Sequence, residues 1–336
     1  MNHAPMSQVA FVGLYLTPEE NDLNRMHKTL IGAAALALSL AASAQQTWFP
    51  SKWGPKDELG AANYLTPELA ASAAKLVKTG KTYSLGITVN TSTPAYPPRT
   101  CTIYIVQPGQ QGSAEGLGPT KTTYNDDILN CWVGIGTQLD GLGHIGVSDR
   151  YYNGIKWQEF GNISGLTKLG ADKIPPFVTR GVLLDMAAYY GVDVVKEGTA
   201  FNKAEIEGAA KKQGVEIRQG DVVIFHTGWL SLIEKDPKRF GSVEPGLGRD
   251  GARYLVSKNV VAVGADTWGL EVVPFEPGAG VFEVHQILLP MSGTYILENV
   301  NTAELAKDKA WEFMFILGQS KYQGAVQAMI NPVAIR

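Results

Sequence analysis

Two short runs constrain this chain more than any other feature. Val222-Val223-Ile224-Phe225 and Val260-Val261-Ala262-Val263 are continuously apolar and bounded by Gly and Asp. A strand with one wet face alternates apolar and polar residues, so a run without alternation belongs to a strand covered on both faces. Val182-Leu183-Leu184 is a third short buried strand, and Thr294 to Leu297 and Phe313 to Leu317 add two more. Helices are written between the strands. Asn202-Lys203-Ala204-Glu205 has the pattern of a capping box and opens a helix ending near Gly214. Thr66-Pro67-Glu68 opens another, running to about Lys78, with Gly80 placed to end it. Tyr83 to Val89 then reads as a strand. Strands interleaved with helices, with no repeat and no low-complexity linker, predict one α/β domain. Residues 90–130 are rich in Thr, Pro, Gly and Gln and show little periodicity. A connection that long and irregular reads as a functional loop or an arm.

Composition closes several classes. With 336 residues, 45% of them hydrophobic and 18% charged, the chain has material for a substantial core and is neither disordered nor collagen-like. Lys+Arg 29 against Asp+Glu 32 leaves no basic excess, so a nucleic-acid partner is not expected. Near the start, Met26-His27-Lys28-Thr29 precedes an Ala/Leu-rich run, Leu30 to Leu40, and then Ala42-Ser43-Ala44. A basic start, a short apolar run and an A-x-A site make a secretory signal peptide. Residues 1–44 are therefore read as an N-terminal extension and signal peptide, with its core at 26–44 and cleavage after Ala44. Residues 45–336 form the domain. A periplasmic or secreted protein with no membrane span after cleavage is expected. Only His144, His226 and His285 follow the cleavage site. In an oxidising compartment Cys101 and Cys131 can bond. Two separate buried thiols fit the sequence equally well, because spacing alone does not set the Cα distance.

Three motifs offer less than they promise. Gly246-Leu247-Gly248-Arg249-Asp250-Gly251 fits G-x-G-x-x-G, yet it follows a loop instead of a strand and reads as turn and helix-start chemistry. No G-x-S-x-G elbow is present. Cys131 has no local base to lower its thiol pKa.

The richest stretch runs from Gly134 to His144, with four glycines in eleven residues. Gln138, Asp140 and His144 stand at i, i+2 and i+6, which in an extended segment is one face. They can ligate a metal or hold a proton-transfer pair; a polar turn with a satisfied histidine is the alternative. His285 and Glu298 are further candidates, set against a core histidine and a surface strand end. His226 closes the strand Val222–Phe225, where it is either a site residue or a structural imidazole.

Together these pieces resemble the metal-dependent cyclase family, which includes bacterial kynurenine formamidases and isatin hydrolases. Its signature, H-x-G-T-H-x-D-x-P-x-H, is matched here by Gly134-x-Gly136-Thr137-Gln138-x-Asp140-x-Leu142-x-His144. Similarity continues through Trp53-Gly54, Asp57-Glu58-Leu59-Gly60, Leu65-Thr66-Pro67-Glu68, Arg180 to Asp185 and Gly220-Asp221-Val222-Val223. It extends to Thr227-Gly228-Trp229, Gly264-Ala265-Asp266-Thr267, His285, Ile296-Leu297-Glu298-Asn299 and Asn331-Pro332-Val333-Ala334. The resemblance implies a swivelling β/β/α-type α/β fold with a mixed central sheet flanked by helices, in a homodimer or homotetramer. It implies metal ligation by Asp140, His285 and Glu298. His144 matches the histidine that moves protons. Two signature histidines are replaced, by Gly134 and Gln138. Gln138 can offer an amide oxygen or orient a ligand. One divalent ion, Zn or Mn, is expected instead of two.

The implied activity is hydrolysis of a cyclic or aryl amide, imide or lactone by water that the metal activates. Trp132, Tyr151, His226, Trp229 and Trp268 are candidates for substrate contact. Arylformamide hydrolysis, as in kynurenine formamidase, is the nearest rival. A non-catalytic periplasmic metal- or solute-binding protein on the same fold is the other.

Overall fold

Both apolar runs lead into neighbouring strands at the centre of a nine-stranded mixed sheet. The computed structural model describes residues 48–107 and 116–336, so the leader read over residues 26–44 and its cleavage site lie outside the described residues. The strands are β1 (Thr82–Ser84), β2 (Cys101–Val106), β3 (Asp126–Cys131), β4 (Gln138–Asp140) and β5 (Phe177–Asp185). Next come β6 (Ala200–Phe201), β7 (Val222–His226), β8 (Gly246–Leu247) and β9 (Ala262–Ala265). β10 (Tyr295–Glu298), β11 (Glu312–Leu317), β12 (Gln327–Met329) and β13 (Val333–Ile335) complete them.

The main sheet has the order β1-β13-β11-β5-β7-β9-β10-β4-β12. Its central strands β5, β7, β9 and β10 pair in parallel, and the flanking pairs are antiparallel. Parallel neighbours need crossovers, and the helices Lys203–Gln213, Arg249–Ser257 and Glu283–Leu288 lie within them. Val222, Val223, Ile224 and Phe225 are wholly buried, which stabilises the fold by roughly 1.5–3 kcal/mol per large side chain. Trp48–Arg336 form one compact unit. Among the described residues no helix is long and apolar enough to cross a membrane.

Several expectations need correction. The helix opened by Thr66 spans Pro67–Ala74, and Gly80 (φ +73°) does not end it. Instead the Thr79 and Gly80 N–H groups both donate to the Arg336 carbonyl, tying this segment to the C-terminus. The strand expected from Tyr83 to Val89 stops at Ser84, because side chains take over its pairing: Gly86 N–H donates to Asn331 Oδ1 and Ile87 N–H to Thr137 Oγ1. Within 90–130 the structure holds a regular antiparallel hairpin, β2 with β3, whose base pair Cys101 and Cys131 are disulfide-bonded. The glycine motif at 246–251 supplies β8 and, as expected, a helix start. There the Asn202 side chain accepts from the Asp250 and Gly251 N–H groups and Glu276 accepts from Arg249, filling the place a phosphate would need.

Candidate metal centre

Strand β4 lies between β10 and β12. Register then brings the polar side chains together. Gln138 stands opposite Glu298 on β10, and Asp140 stands opposite Gln327 on β12. Alternation puts Gln138 and Asp140 on one face of β4, and direct cross-strand partners are close enough to hydrogen-bond. Gln138 Nε2 donates to Glu298 Oε2 (2.5 Å), and Gln327 Nε2 donates to Asp140 Oδ1 (2.6 Å). His144 arrives by another route than expected. The strand ends at Asp140, and a turn in which His144 N–H donates to the Gly141 carbonyl carries the imidazole round. Its Nε2 lies 3.8 Å from Asp140 Oδ2. A Cβ at Gly141 would sit 2.5 Å from the Val326 carbonyl oxygen, so the turn requires glycine there.

His285 comes from the short helix Glu283–Leu288. Glu271 accepts from His285 Nδ1 (3.0 Å) and from the Val284 and His285 backbone N–H groups. This fixes the ring and turns Nε2 toward Glu298 Oε1, 3.3 Å away. Asp140, His285 and Glu298 thus bring one donor atom each to within 4.8 Å of one another, all buried.

So many buried acidic groups require positive charge. Burial and the neighbouring Asp140 push the Glu298 carboxyl up to about 7, with His285 acting in the opposite sense. Burial works against a charged His285, but hydrogen bonds to Glu271 and Glu298 outweigh it and push the imidazole up to about 10. Asp140 Oδ2 and Gln138 Oε1 are buried with no hydrogen-bond partner. Orphaned acceptors beside a histidine and two carboxylates are the donor set of a divalent cation with a position left for water, and the residues fit such an ion. The His144 imidazole, by contrast, is held below the usual histidine range, chiefly by burial and despite Asp140, and stands neutral at pH 7.

Glu271 is expected to matter through His285. Glu271→Gln should weaken metal binding roughly 10–100-fold, as loss of an outer carboxylate partner does. Chelator competition measures it, and unchanged affinity would remove Glu271 from this role.

A cavity of about 180 Å³ opens onto the cluster, lined by Tyr96, Arg99, His144, Trp268, Phe282 and His285 among others. Trp268 stacks on Tyr96 (5.8 Å, 25°), and Phe282 meets His285 edge-on at 5.1 Å. Four other expected contacts lie elsewhere. Trp132 follows the hairpin and is half exposed. Tyr151 packs on Trp157 and Phe160. Trp229 is fully buried in a small second core with Leu232 and Phe240. His226 is tied to Thr302 Oγ1 (2.7 Å) and lies 3.4 Å from Asp266, fastening the end of β7. Aromatic and imidazole groups near a matched segment served packing as readily as the site.

Sequence reasoning passed over Glu271, Gln327, Arg99 and Glu244. Glu271 follows Trp268 by three residues in one loop, so the loop itself was the available signal. Glu244 is wholly buried and takes the Trp268 and Gly269 N–H groups on Oε2. Burial, then Glu298, push its carboxyl well above the usual range. Gln327 and Arg99 carried no local pattern at all.

A mixed α/β sheet with a buried Asp/His/Glu cluster beneath an aromatic cavity defines a candidate metalloenzyme. The chain belongs to the cyclase family, whose Cyclase model matches residues 83–272. A crystal structure of a novel cyclase is 32% identical with a TM-score of 0.77, over 85% of this chain and 98% of that one. Isatin hydrolase A from Ralstonia solanacearum is 18% identical with a TM-score of 0.57, over 80% and 97% of the two chains. Isatin hydrolase A from Labrenzia aggregata, bound to benzyl benzoate, is 18% identical with a TM-score of 0.52, over 81% and 97%. Both hydrolases share the fold. No curated protein matches the chain.

Proposed function

We propose that this protein is a metal-dependent hydrolase that opens a cyclic or aryl amide, imide or lactone, and that it works in the periplasm or outside the cell. The observation that carries the reading is the buried Asp140, His285 and Glu298 cluster, with an orphaned Asp140 oxygen, facing a cavity that also holds a neutral His144. Isatin hydrolase in complex with the product analogue thioisatinate has the same fold and supports a cyclic substrate. The Ala/Leu leader and its A-x-A site support export.

Asp140, His285 and Glu298 would hold one Zn or Mn ion, while Gln138 and Gln327 fix the two carboxylates. When bound, such an ion lowers the pKa of water and polarises a carbonyl. Trp268, Tyr96 and Phe282 hold the ring of the substrate and keep bulk water out. His144 accepts the proton of the attacking water at a ring nitrogen and returns it to the leaving nitrogen or oxygen. A single ion is favoured because Arg99 and Gln327 fill the space beside Gly134, where a Cβ would meet Arg99 Nη1 at 2.6 Å and Gln327 Nε2 at 2.9 Å.

Elemental analysis of the purified protein should find about one Zn or Mn per chain, as a three-ligand site holds. A panel of lactones, amides and imides then identifies the bond. Affinity for the ion should be tighter at pH 8 than at pH 6, because His285 is protonated in the free protein and must release that proton to bind. No metal after soaking would overturn the metal site. Bound metal without hydrolysis of any panel member would make this a binding protein.

A further inference from the structure

We propose that the substrate is an anion, a one-ring cyclic or aryl compound bearing a carboxylate, and that Arg99 is the residue that selects it. The inference rests on the hydrolase reading and names the substrate class of the same site. Arg99 Nη1 donates to the Gly134 carbonyl (2.7 Å), which fixes the guanidinium in the cavity wall beside His144, His285 and Glu298. Among the described residues this is the guanidinium's only hydrogen bond, and it forms no ion pair. The Nε and Nη2 donors are left over, and a guanidinium edge of two parallel N–H groups matches a carboxylate.

The half-buried cation touches no carboxylate among the described residues, and it acts on Glu298 only across the cavity. Its position is built into the chain, since the bare glycine at 134 is what admits the guanidinium: any Cβ there would lie 2.9 Å from Cζ. Desolvating a charge without a partner is costly, and a ligand anion recovers that cost on binding. Without an ion Asp140 and Glu298 repel an anion, and a divalent ion between them would only balance their two charges, so the cluster has no net positive charge to compete with Arg99. The carboxylate is therefore placed on the Arg99 side, with the scissile carbonyl over the acidic cluster. Tyr96 and Trp268 stack on each other in the apolar wall of the same cavity. The volume, about 180 Å³, suits one ring, since benzene fits a cavity of about 150 Å³.

Calorimetric titration of the full chain with benzoate and with neutral benzamide tests this without turnover, on zinc-loaded and EDTA-stripped protein. Benzoate should bind at least about 10-fold tighter than benzamide in both forms. Arg99→Gln should weaken benzoate roughly 10–100-fold and benzamide less than about 2-fold, and Arg99→Lys should keep part of the preference. Equal loss for both probes would overturn the proposal by making Arg99 a shaping residue. So would benzoate binding that survives Arg99→Gln but disappears on stripping, which would put the carboxylate on the metal. Selective benzoate binding in a protein that hydrolyses no panel member would keep the anion site and reject the hydrolase.

Discussion

His285→Ala is expected to empty the metal site and abolish turnover together. The imidazole is the single nitrogen donor of the cluster, and its ring is aimed by Glu271 rather than by chance packing. Its removal should cost more affinity than the roughly 10–100-fold that follows loss of an outer partner. It should also destabilise the protein. Glu271 and Glu298 are left buried without the group between them, and an uncompensated buried charge costs about 3–5 kcal/mol. Metal content, thermal unfolding and turnover of one preparation read all three effects. A folded variant that still carries its ion would remove His285 from the ligand set.

His144→Ala should separate chemistry from binding. His144 Nε2 is too far from Asp140 Oδ2, at 3.8 Å, for a hydrogen bond, and the side chain lines the cavity. A neutral, uncommitted imidazole is able to accept a proton, and loss of a general base typically lowers turnover by roughly 10²–10⁴. Metal content should stay at the wild-type value, and KM should change little. Undiminished kcat would reject the proton-transfer role. Loss of metal in parallel with turnover would make His144 a ligand.

The fold was legible where burial is written locally. Val222–Phe225 carries its own evidence of two covered faces, and the residues after Asn202 open a helix as their capping pattern predicts. The hairpin was not legible, because its strands expose Ile103, Tyr104, Ile105, Ile128 and Leu129, which breaks the alternation that marks a half-buried strand. The cysteines that close it were in the sequence, but their bond depends on the register that sets them opposite each other. At the site, Asp140, His285 and Glu298 came from the family resemblance, and their approach to one another is a property of the structure.

What the sequence determined by itself is the class of fold, the even spacing that puts Gln138 and Asp140 on one face, and the poverty of histidine that sharply limits histidine-based chemistry. Tertiary structure decided which residues complete the centre. Glu298 meets Gln138, Gln327 meets Asp140, and Arg99 occupies the space beside Gly134, each through contacts between residues far apart in the chain. Strand alternation repeats every two residues and can be read from a short window. Cross-strand register and loop placement are set by packing of the whole domain, so no local window contains them.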